Sequence, residues 1–464
     1  MTSRSRNILI VVLGAVGVAL PVGWFVVRVA PGIRVGTAVV SKTLCSGVFV
    51  SGLDPDQLYA EALLPNPGQT RLAKRLKYRV DRDRREVVAT WAGRFESRAV
   101  FREGFGCVLV NGQGSDGAAA AVVTRQTPAP ATVRPLEIEP PSAKLEAALD
   151  RAFAEPAQPP LRRVKAVVML HDGKIIAERY APGYGADTPV LGYSLAKSVT
   201  SALIGILVRQ GKLSVEQRAP VPAWSDASDP RRVITIDQLL RMTSGLAIEE
   251  SDSGFDPVSR MLFLEPDMAG FAERSRLKAT PDKTWEYTSG NTLILSRILR
   301  DTVGGHAQDV VEFAQRELFG QLGITTATIE FDPTGTPVGP IYVFASARDW
   351  ARFGQLYLND GVVDGKRILP EGWVNYSAAP TLDTDYGAGW WTNRGGHGDA
   401  ADRIEAGMPA DAFYGSGNLG QRLVIIRSEQ LVIVRLGLTH SPNFDIRGLL
   451  RLISDTVSTL HAVN

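Results

Sequence analysis

The stretch GYSLAKSVTSALIG, residues 192–205, contains a serine that can be interpreted in more than one way. From Gly192 it is Gly-Tyr-Ser-Leu-Ala, one residue short of the Gly-x-Ser-x-Gly elbow that holds a serine nucleophile. From Ser194 it is Ser-Leu-Ala-Lys, a Ser-x-x-Lys pair. A third interpretation is a buried helix that contains a serine without chemical consequence.

The residues that follow Ser194 favour the Ser-x-x-Lys interpretation. They are almost all apolar as far as Arg209, and Lys197 is the only charge before it, so we expect a helix buried on most sides. A buried ammonium needs partners or a lowered pKa. Positions i and i+3 share one helix face, which would bring the Lys197 amine within hydrogen-bond reach of Ser194 Oγ. The alternative is a Lys197 side chain that extends to the surface.

The elbow interpretation is weaker. An elbow needs a strand leading directly into the serine and a histidine later in the chain. The residues ADTPVLG before Ser194 predict a loop, and Ala196 stands where the final glycine would be. The candidate histidines, none of which lies in a distinctive motif, are His306, His397, His440 and His461.

Two later segments complete the candidate site. Tyr287 lies in WEYTSGN, a polar loop before an amphipathic helix, where a phenol can relay a proton or can simply be half-buried packing. In FYGSGNLGQRLVII the glycines lead into a strand and open no helix, so we reject a dinucleotide site despite the Gly-x-Gly-x-x-Gly spacing. A backbone N–H from this segment, paired with that of Ser194, would form an oxyanion hole.

Composition predicts a globular protein of two or more units. The chain has 464 residues, of which 44% are hydrophobic and 22% charged. Lys and Arg number 51 against 49 Asp and Glu, and no basic stripe interleaved with aromatic residues is present, so we expect no nucleic-acid partner. No set of spaced His and Cys suggests a metal site, and we expect no cofactor.

The N-terminal sequence predicts export. Residues 8–27 carry no charge, follow Arg4 and Arg6, and are long enough to span a bilayer. The arginines place the rest of the chain outside the cytoplasm, and the lack of an Ala-x-Ala site favours an uncleaved anchor over a removed signal peptide. We therefore expect an inner-membrane anchor with the catalytic domain in the periplasm or otherwise outside the cytoplasm. There Cys45 and Cys107 would form a disulfide, although two unrelated buried thiols are the alternative.

The chain divides into four predicted segments. These are a membrane anchor or signal at 1–40, a small strand-rich region at 41–126, a proline-rich linker at 127–142 and a large domain with the candidate site at 143–464. A hairpin around Asp172-Gly173 and a strand pair around Ser428-Glu429 enclose mostly helical sequence. This arrangement predicts an α+β domain whose antiparallel sheet is completed by both ends of the domain.

With these motifs in this order, residues from about 150 to 460 resemble the β-lactamase-related serine hydrolases, and most closely the 6-aminohexanoate-dimer hydrolases and related esterases. The motifs that carry the resemblance are GKLSVEQRAPVPAW, ITIDQLLRMTSGL, YTSGN, ASARDWARFGQLYLNDG, YGAGWW and ADAFYGSGNLGQ. The resemblance implies an α/β sandwich beside an all-helical subdomain, with the site between them. It implies Ser194 as nucleophile, Lys197 as its activating partner, Tyr287 as general acid/base, and Asn418 or Leu419 as the second oxyanion donor.

Two departures bear on the substrate. The Tyr-x-Asn of class C β-lactamases reads Tyr287-Thr288-Ser289, which puts Ser289 in place of a substrate-binding amide. The Lys-Thr-Gly is replaced by residues 416–418, Ser-Gly-Asn, which removes a cation suited to a β-lactam or peptide carboxylate.

We therefore expect hydrolysis of small esters or amides through an acyl-enzyme on Ser194. The alternatives are a D,D-carboxypeptidase or β-lactamase, and a catalytically silent relative that binds cell-envelope peptide or glycan. Trp390 and Trp391 either line the pocket or pack beneath it, and Trp391 is the candidate substrate contact.

Overall fold

The N-terminal module combines one long helix with a four-stranded antiparallel sheet, in a computed structural model that describes residues 29–110, 135–251, 253–440 and 443–462. The helix is Ala30–Phe49, and the strands in sheet order are Leu76–Asp81, Glu86–Trp91, Arg94–Arg102 and Gly106–Leu109. Short helical segments connect them at Pro55–Leu58, Tyr59–Leu63, Pro67–Leu72 and Ala73–Arg75. A disulfide between Cys45 and Cys107 joins the helix to the last strand, as predicted.

The long helix changes the predicted division of the chain. The boundary between residues 40 and 41 falls inside Ala30–Phe49, so the end of the segment predicted as an anchor belongs to the N-terminal module. Lys42 in this helix is buried against Glu330. The predicted membrane span, residues 8–27, lies outside the described residues. Within the described ranges, no helix has both the length and the apolarity needed to cross a membrane.

The second half of the predicted linker is paired with the main sheet. Residue Ile138 bridges Ile175 in parallel, with the Glu139 N–H donating to the Ile175 carbonyl and the Ile175 N–H to the Glu137 carbonyl, each at 2.8 Å. Residues 127–134 of that linker lie outside the described part of the chain. Residues 137–139 of the linker therefore form an added edge segment, because their backbone groups pair with the outer strand.

The main sheet has six strands, and its antiparallel pairing confirms the prediction. Its strands in sheet order are Trp391–Thr392, Phe413–Gly417, Gln421–Ile426, Leu431–Gly437, Val164–His171 and Lys174–Tyr180. Asp172 and Gly173 both adopt positive φ, 48° and 80°, which is the turn that Asp-Gly predicts between two strands. The strand pair near the C-terminus lies against Val164–His171, so both ends of the domain complete one sheet.

Alternation along the strands produces two cores. Val167 and Met169 pack on one face with the helices Ala143–Phe153 and Ile446–His461. Val168 and Leu170 face the opposite way, into the larger core. Successive side chains of a strand point to opposite faces, so a strand covered on both faces needs apolar residues at consecutive positions, as in Val164–His171.

Helices fill the other side of the sheet and the subdomain beside it. They are Ala196–Arg209, Ile236–Leu240, Pro257–Leu264, Met268–Glu273, Ser289–Val303, Ala307–Ala314, Ala347–Leu358 and Trp373–Ala378. A further helix, Ala400–Glu405, places Arg403 over the ring of Tyr414, which belongs to the first core. Shorter turns lie at Tyr193–Leu195, Pro222–Trp224, Pro230–Val233, Gln315–Phe319, Arg394–Gly396, Asn418–Gly420 and Asn443–Asp445.

Two minor sheets complete the architecture. One is formed by Val190–Leu191, Val343–Ala345 and Thr328–Ile329, and the other by Val362–Val363 and Lys366–Arg367. With these the α+β class is established.

Candidate active site

Ser194 lies in the turn that leads into the buried helix Ala196–Arg209. The turn Tyr193–Leu195 is a 3₁₀ segment, and Tyr193 adopts φ 47°, an unusual value for a residue with a side chain. A two-residue strand, Val190–Leu191, precedes it where the sequence predicts a loop, but it pairs in a minor sheet and not in the central one. Ser194 is half-buried at the start of the helix.

Lys197 lies one turn further and is 3% exposed. Its Nζ donates to Ser194 Oγ at 3.0 Å, to Ser289 Oγ at 3.2 Å and to the carbonyl oxygen of Pro340 at 3.2 Å. The Lys197 side chain is therefore directed into the site and does not extend to the surface. Three oxygen atoms around one nitrogen match the three N–H bonds of an ammonium.

Ser289 is fully buried at the start of the helix Ser289–Val303. Besides accepting from Lys197, it donates its hydroxyl to Glu250 Oε1 at 3.1 Å and its backbone N–H to Glu250 Oε2. The sequence predicts a substrate contact at Ser289, whereas the structure places it between a lysine and a carboxylate. Ser289 thus links Lys197 to Glu250.

Tyr287 places the face of its ring against the lysine, with Lys197 Nζ 4.7 Å from the ring centroid. Trp391 stacks on the Tyr287 ring at 5.8 Å between centroids, and Trp285 and Tyr386 pack around both rings. Trp391 is half-buried and belongs to this aromatic wall, whereas Trp390 is fully buried among Phe353, Tyr357 and Phe413. Of the two neighbouring tryptophans, Trp391 therefore belongs to the site and Trp390 to the core.

The glycine-rich strand end lies against the serine turn. A Cβ on Gly417 would lie 2.3 Å from the Gly192 carbonyl oxygen, so only glycine permits this approach. Leu419 adopts φ 57°, and its N–H donates to Asn418 Oδ1 at 2.8 Å. Of the two predicted oxyanion donors, the Leu419 N–H is thus already bonded within the turn.

The four candidate histidines are distributed over other parts of the fold. His306 precedes the helix Ala307–Ala314, and His461 contacts Glu429 at 2.9 Å. His440 contacts the Glu61 carbonyl at 3.0 Å, and burial lowers its pKa. His397 follows the turn Arg394–Gly396.

Sequence reasoning did not identify Glu250 or Pro340. Glu250 lies in LAIEESD, a segment without helix or strand periodicity. The signal that could have drawn attention to it is the pair of adjacent acidic residues, Glu249 and Glu250. Pro340 contributes a backbone carbonyl, and no side-chain pattern identifies such a group. Among the described residues, no group of His, Cys, Asp and Glu is arranged to hold a metal ion.

Comparison with known proteins gives the class of this chain. The sequence model of the β-lactamase family matches residues 151–457, about two thirds of the chain. The chain belongs to the β-lactamase family, a family of hydrolases.

The individual relatives are distant. A 6-aminohexanoate-dimer hydrolase of Paenarthrobacter ureafaciens is 28% identical over 229 residues, a match that spans 45% of this chain and 55% of that relative. The chain thus spans about half the length of this curated relative.

Among solved structures, a Bacillus anthracis protein assigned to the 6-aminohexanoate-dimer hydrolases has a TM-score of 0.58 at 22% identity, covering 71% of this chain and 89% of the other. A family VIII carboxylesterase has a TM-score of 0.52 at 14% identity, and the match covers 71% of this chain and 100% of the carboxylesterase. These structures share the fold.

Proposed function

We propose that this chain is a serine hydrolase that cleaves small esters or amides through an acyl-enzyme on Ser194. The observation that carries the proposal is the 3.0 Å contact between Lys197 Nζ and Ser194 Oγ at the start of a buried helix. Lys197 takes the hydroxyl proton as Ser194 attacks the carbonyl carbon, and that proton passes by way of Tyr287 to the leaving group. Water then attacks the acyl carbon with Tyr287 and Lys197 as the base, which restores Ser194.

The second oxyanion donor in this proposal is the backbone N–H of Asn418, acting with that of Ser194. Two observations support the choice: the Leu419 N–H is already bonded to Asn418 Oδ1, and Gly417 abuts the serine turn. The aromatic wall beside Lys197 supports an apolar acyl or leaving group, since Trp391 and Tyr287 offer apolar ring surface there. The similarity to 6-aminohexanoate-dimer hydrolases and a carboxylesterase supports linear amides and carboxylic esters as the first substrates to test.

We also propose that the chain acts outside the cytoplasm, tethered through its N-terminal segment. The disulfide between Cys45 and Cys107 supports this location because such bonds persist in oxidising compartments. Protease accessibility of the hydrolase domain in intact spheroplasts tests the topology, and protection of the domain would contradict it.

The test of the chemistry uses the full chain purified in detergent. We expect a fluorophosphonate to add one adduct per chain by intact mass, at Ser194, and Ser194→Ala to abolish both labelling and hydrolysis of p-nitrophenyl acyl esters. Ser198→Ala provides a matched control, because Ser198 is one turn further along the same helix and donates to the Gly389 carbonyl. A Ser194→Ala variant that retains hydrolysis would refute the proposal.

A further inference from the structure

A hydrogen-bond chain whose middle members, Lys197 and Ser289, are buried connects the predicted nucleophile to a carboxylate. It runs from Ser194 Oγ to Lys197 Nζ, then to Ser289 Oγ, and ends at Glu250. Glu250 lies 56 positions after Ser194, in a loop outside every motif of the sequence analysis. Its two oxygens engage the same residue, one at the Ser289 hydroxyl and one at the Ser289 backbone N–H.

The carboxylate fixes the direction of the Ser289 hydroxyl. An ionised carboxylate only accepts hydrogen bonds, so the Ser289 proton points to Glu250 and the lone pairs of Oγ remain for Lys197. The Pro340 carbonyl is likewise only an acceptor. These two acceptors therefore engage two N–H bonds of Lys197, and a third position of Nζ meets Ser194 Oγ at 3.0 Å. In the neutral amine that position is the lone pair that removes the hydroxyl proton.

We propose that Glu250 is a positioning residue that, acting through Ser289, directs the basic lone pair of Lys197 to Ser194. This inference rests on the proposed function, since it assigns a role within the same proton transfer. Glu250 also adds negative charge near the lysine. Titratable groups that face Lys197 include Tyr287, through its ring, and Glu250, through Ser289. Tyr386 packs edge-on against Tyr287 at 5.8 Å, and burial raises its pKa well above the usual value.

The variant Glu250→Gln keeps the shape of the side chain but reverses the direction of its hydrogen bond with the Ser289 hydroxyl. An amide has one acceptor oxygen, and the Ser289 backbone N–H can only donate, so the amide oxygen must serve that N–H. The amide nitrogen then donates to Ser289 Oγ, whose proton turns towards Lys197 and competes with its N–H. We expect kcat/KM for a p-nitrophenyl ester to fall by up to about 10²-fold, as for a misaligned catalytic group.

The pH profile distinguishes this role from a purely structural one. Removing a nearby negative charge favours the neutral amine, so the acidic limb of kcat/KM and of fluorophosphonate labelling should move about one unit to lower pH in Glu250→Gln. Glu250→Asp retains the charge and should keep the limb at the wild-type pH. Glu249→Gln is the matched control, because the same change at the exposed neighbouring position should leave rate and profile unchanged.

The outcomes separate this inference from the proposed function. Suppose that the wild-type chain is labelled at Ser194. The positioning role is then wrong if Glu250→Gln keeps the wild-type rate. It is also wrong if Glu250→Gln loses rate while the acidic limb of its pH profile stays at the wild-type pH. If Glu250→Asp moves the limb as far as Glu250→Gln does, the inference also fails. A wild-type chain without labelling at Ser194 refutes the proposed function itself. In the Ser289→Ala background we expect Glu250→Gln to cost little further rate, because residues acting as one unit are not additive.

Discussion

Lys197 Nζ lies 4.7 Å from the centroid of the Tyr287 ring while it donates to Ser194 Oγ at 3.0 Å. The ammonium therefore faces the negative surface of the aromatic ring, a cation–π contact that helps to hold a charge in a buried site. Tyr287 thus has two separable contributions, one from its ring and one from its hydroxyl. Substitutions that remove them one at a time distinguish electrostatic support of the lysine from proton relay.

The first prediction concerns the Tyr287 hydroxyl. Tyr287→Phe keeps the ring over Lys197 but removes the group proposed to relay the proton, so kcat should fall by about 10²–10⁴-fold without loss of folding. Tyr287→Leu removes the ring as well and should also weaken the cation–π contact, worth roughly 0.5–2 kcal/mol. Steady-state kinetics and thermal unfolding of the two variants measure both effects. Near-normal turnover in Tyr287→Phe would exclude the hydroxyl from the relay.

The second prediction concerns the identity of the base. Lys197→Ala should reduce turnover at least as much as Tyr287→Phe, and the double variant should lose little more, because the two act as one unit. Replacement of each of His306, His397, His440 and His461 should cost less than about tenfold, well below the ~10²–10⁴-fold of a general base. A histidine variant that abolishes ester hydrolysis would restore the elbow interpretation.

The parts of the fold that local sequence determines could be predicted. The Asp172-Gly173 turn requires positive φ at both positions, and the apolar runs on either side form the predicted strands. Thr235 and Gln238 have the spacing of a capping box, and they form one at the start of the helix Ile236–Leu240. Such features depend on a few adjacent residues, which is why they can be read from the chain.

Features made by distant segments could not be predicted. The Ser194–Lys197 contact follows from helix periodicity, but Glu250 and the Pro340 carbonyl reach it only through tertiary packing. The helix Ala30–Phe49 was missed because it begins soon after the uncharged run, and the predicted boundary at residue 40 divides it between two segments. No period or motif in the sequence encodes which loop approaches which helix.

The third prediction separates the two neighbouring tryptophans. Trp390 is fully buried, with its ring 4.4 Å from that of Tyr357, so Trp390→Ala should lower the free energy of unfolding by about 3–5 kcal/mol. Trp391 is half-buried against Tyr287, so Trp391→Ala should mainly raise KM for apolar esters, by about tenfold for a loss of ~1.4 kcal/mol. Equal effects of the two substitutions on stability would contradict this division.

The fourth prediction concerns the disulfide. Denatured, unreduced protein should contain no titratable thiol, because both cysteines are joined. The double variant Cys45→Ala, Cys107→Ala should be less stable by about 2–4 kcal/mol in denaturant unfolding, since the bond closes a loop of 62 residues. Two free thiols per chain would refute the bond in the purified protein.

The last prediction concerns the buried contact between the N-terminal module and the hydrolase domain. Glu330 is fully buried and accepts from Lys42, from Ser46 Oγ at 2.9 Å and from the Cys107 N–H at 2.7 Å. Burial lowers the pKa of Lys42, while the Glu330 carboxylate opposes that shift. Removing one member of a buried ion pair leaves the other uncompensated, so Glu330→Ala should lower the free energy of unfolding by about 3–5 kcal/mol.

The same variant should also reduce turnover, because Glu330 begins the loop that carries Pro340. Its N–H donates to the Tyr342 carbonyl at 2.9 Å, and its own carbonyl accepts from Val338 at 2.8 Å, which closes the loop beneath Lys197. Glu96→Ala, at an exposed position of the N-terminal module, is the matched control and should change neither stability nor rate. Replacing both Lys42 and Glu330 by Met should recover part of the stability, since an apolar pair leaves no buried charge. Full activity in a destabilised Glu330→Ala chain would exclude the link between this ion pair and the site.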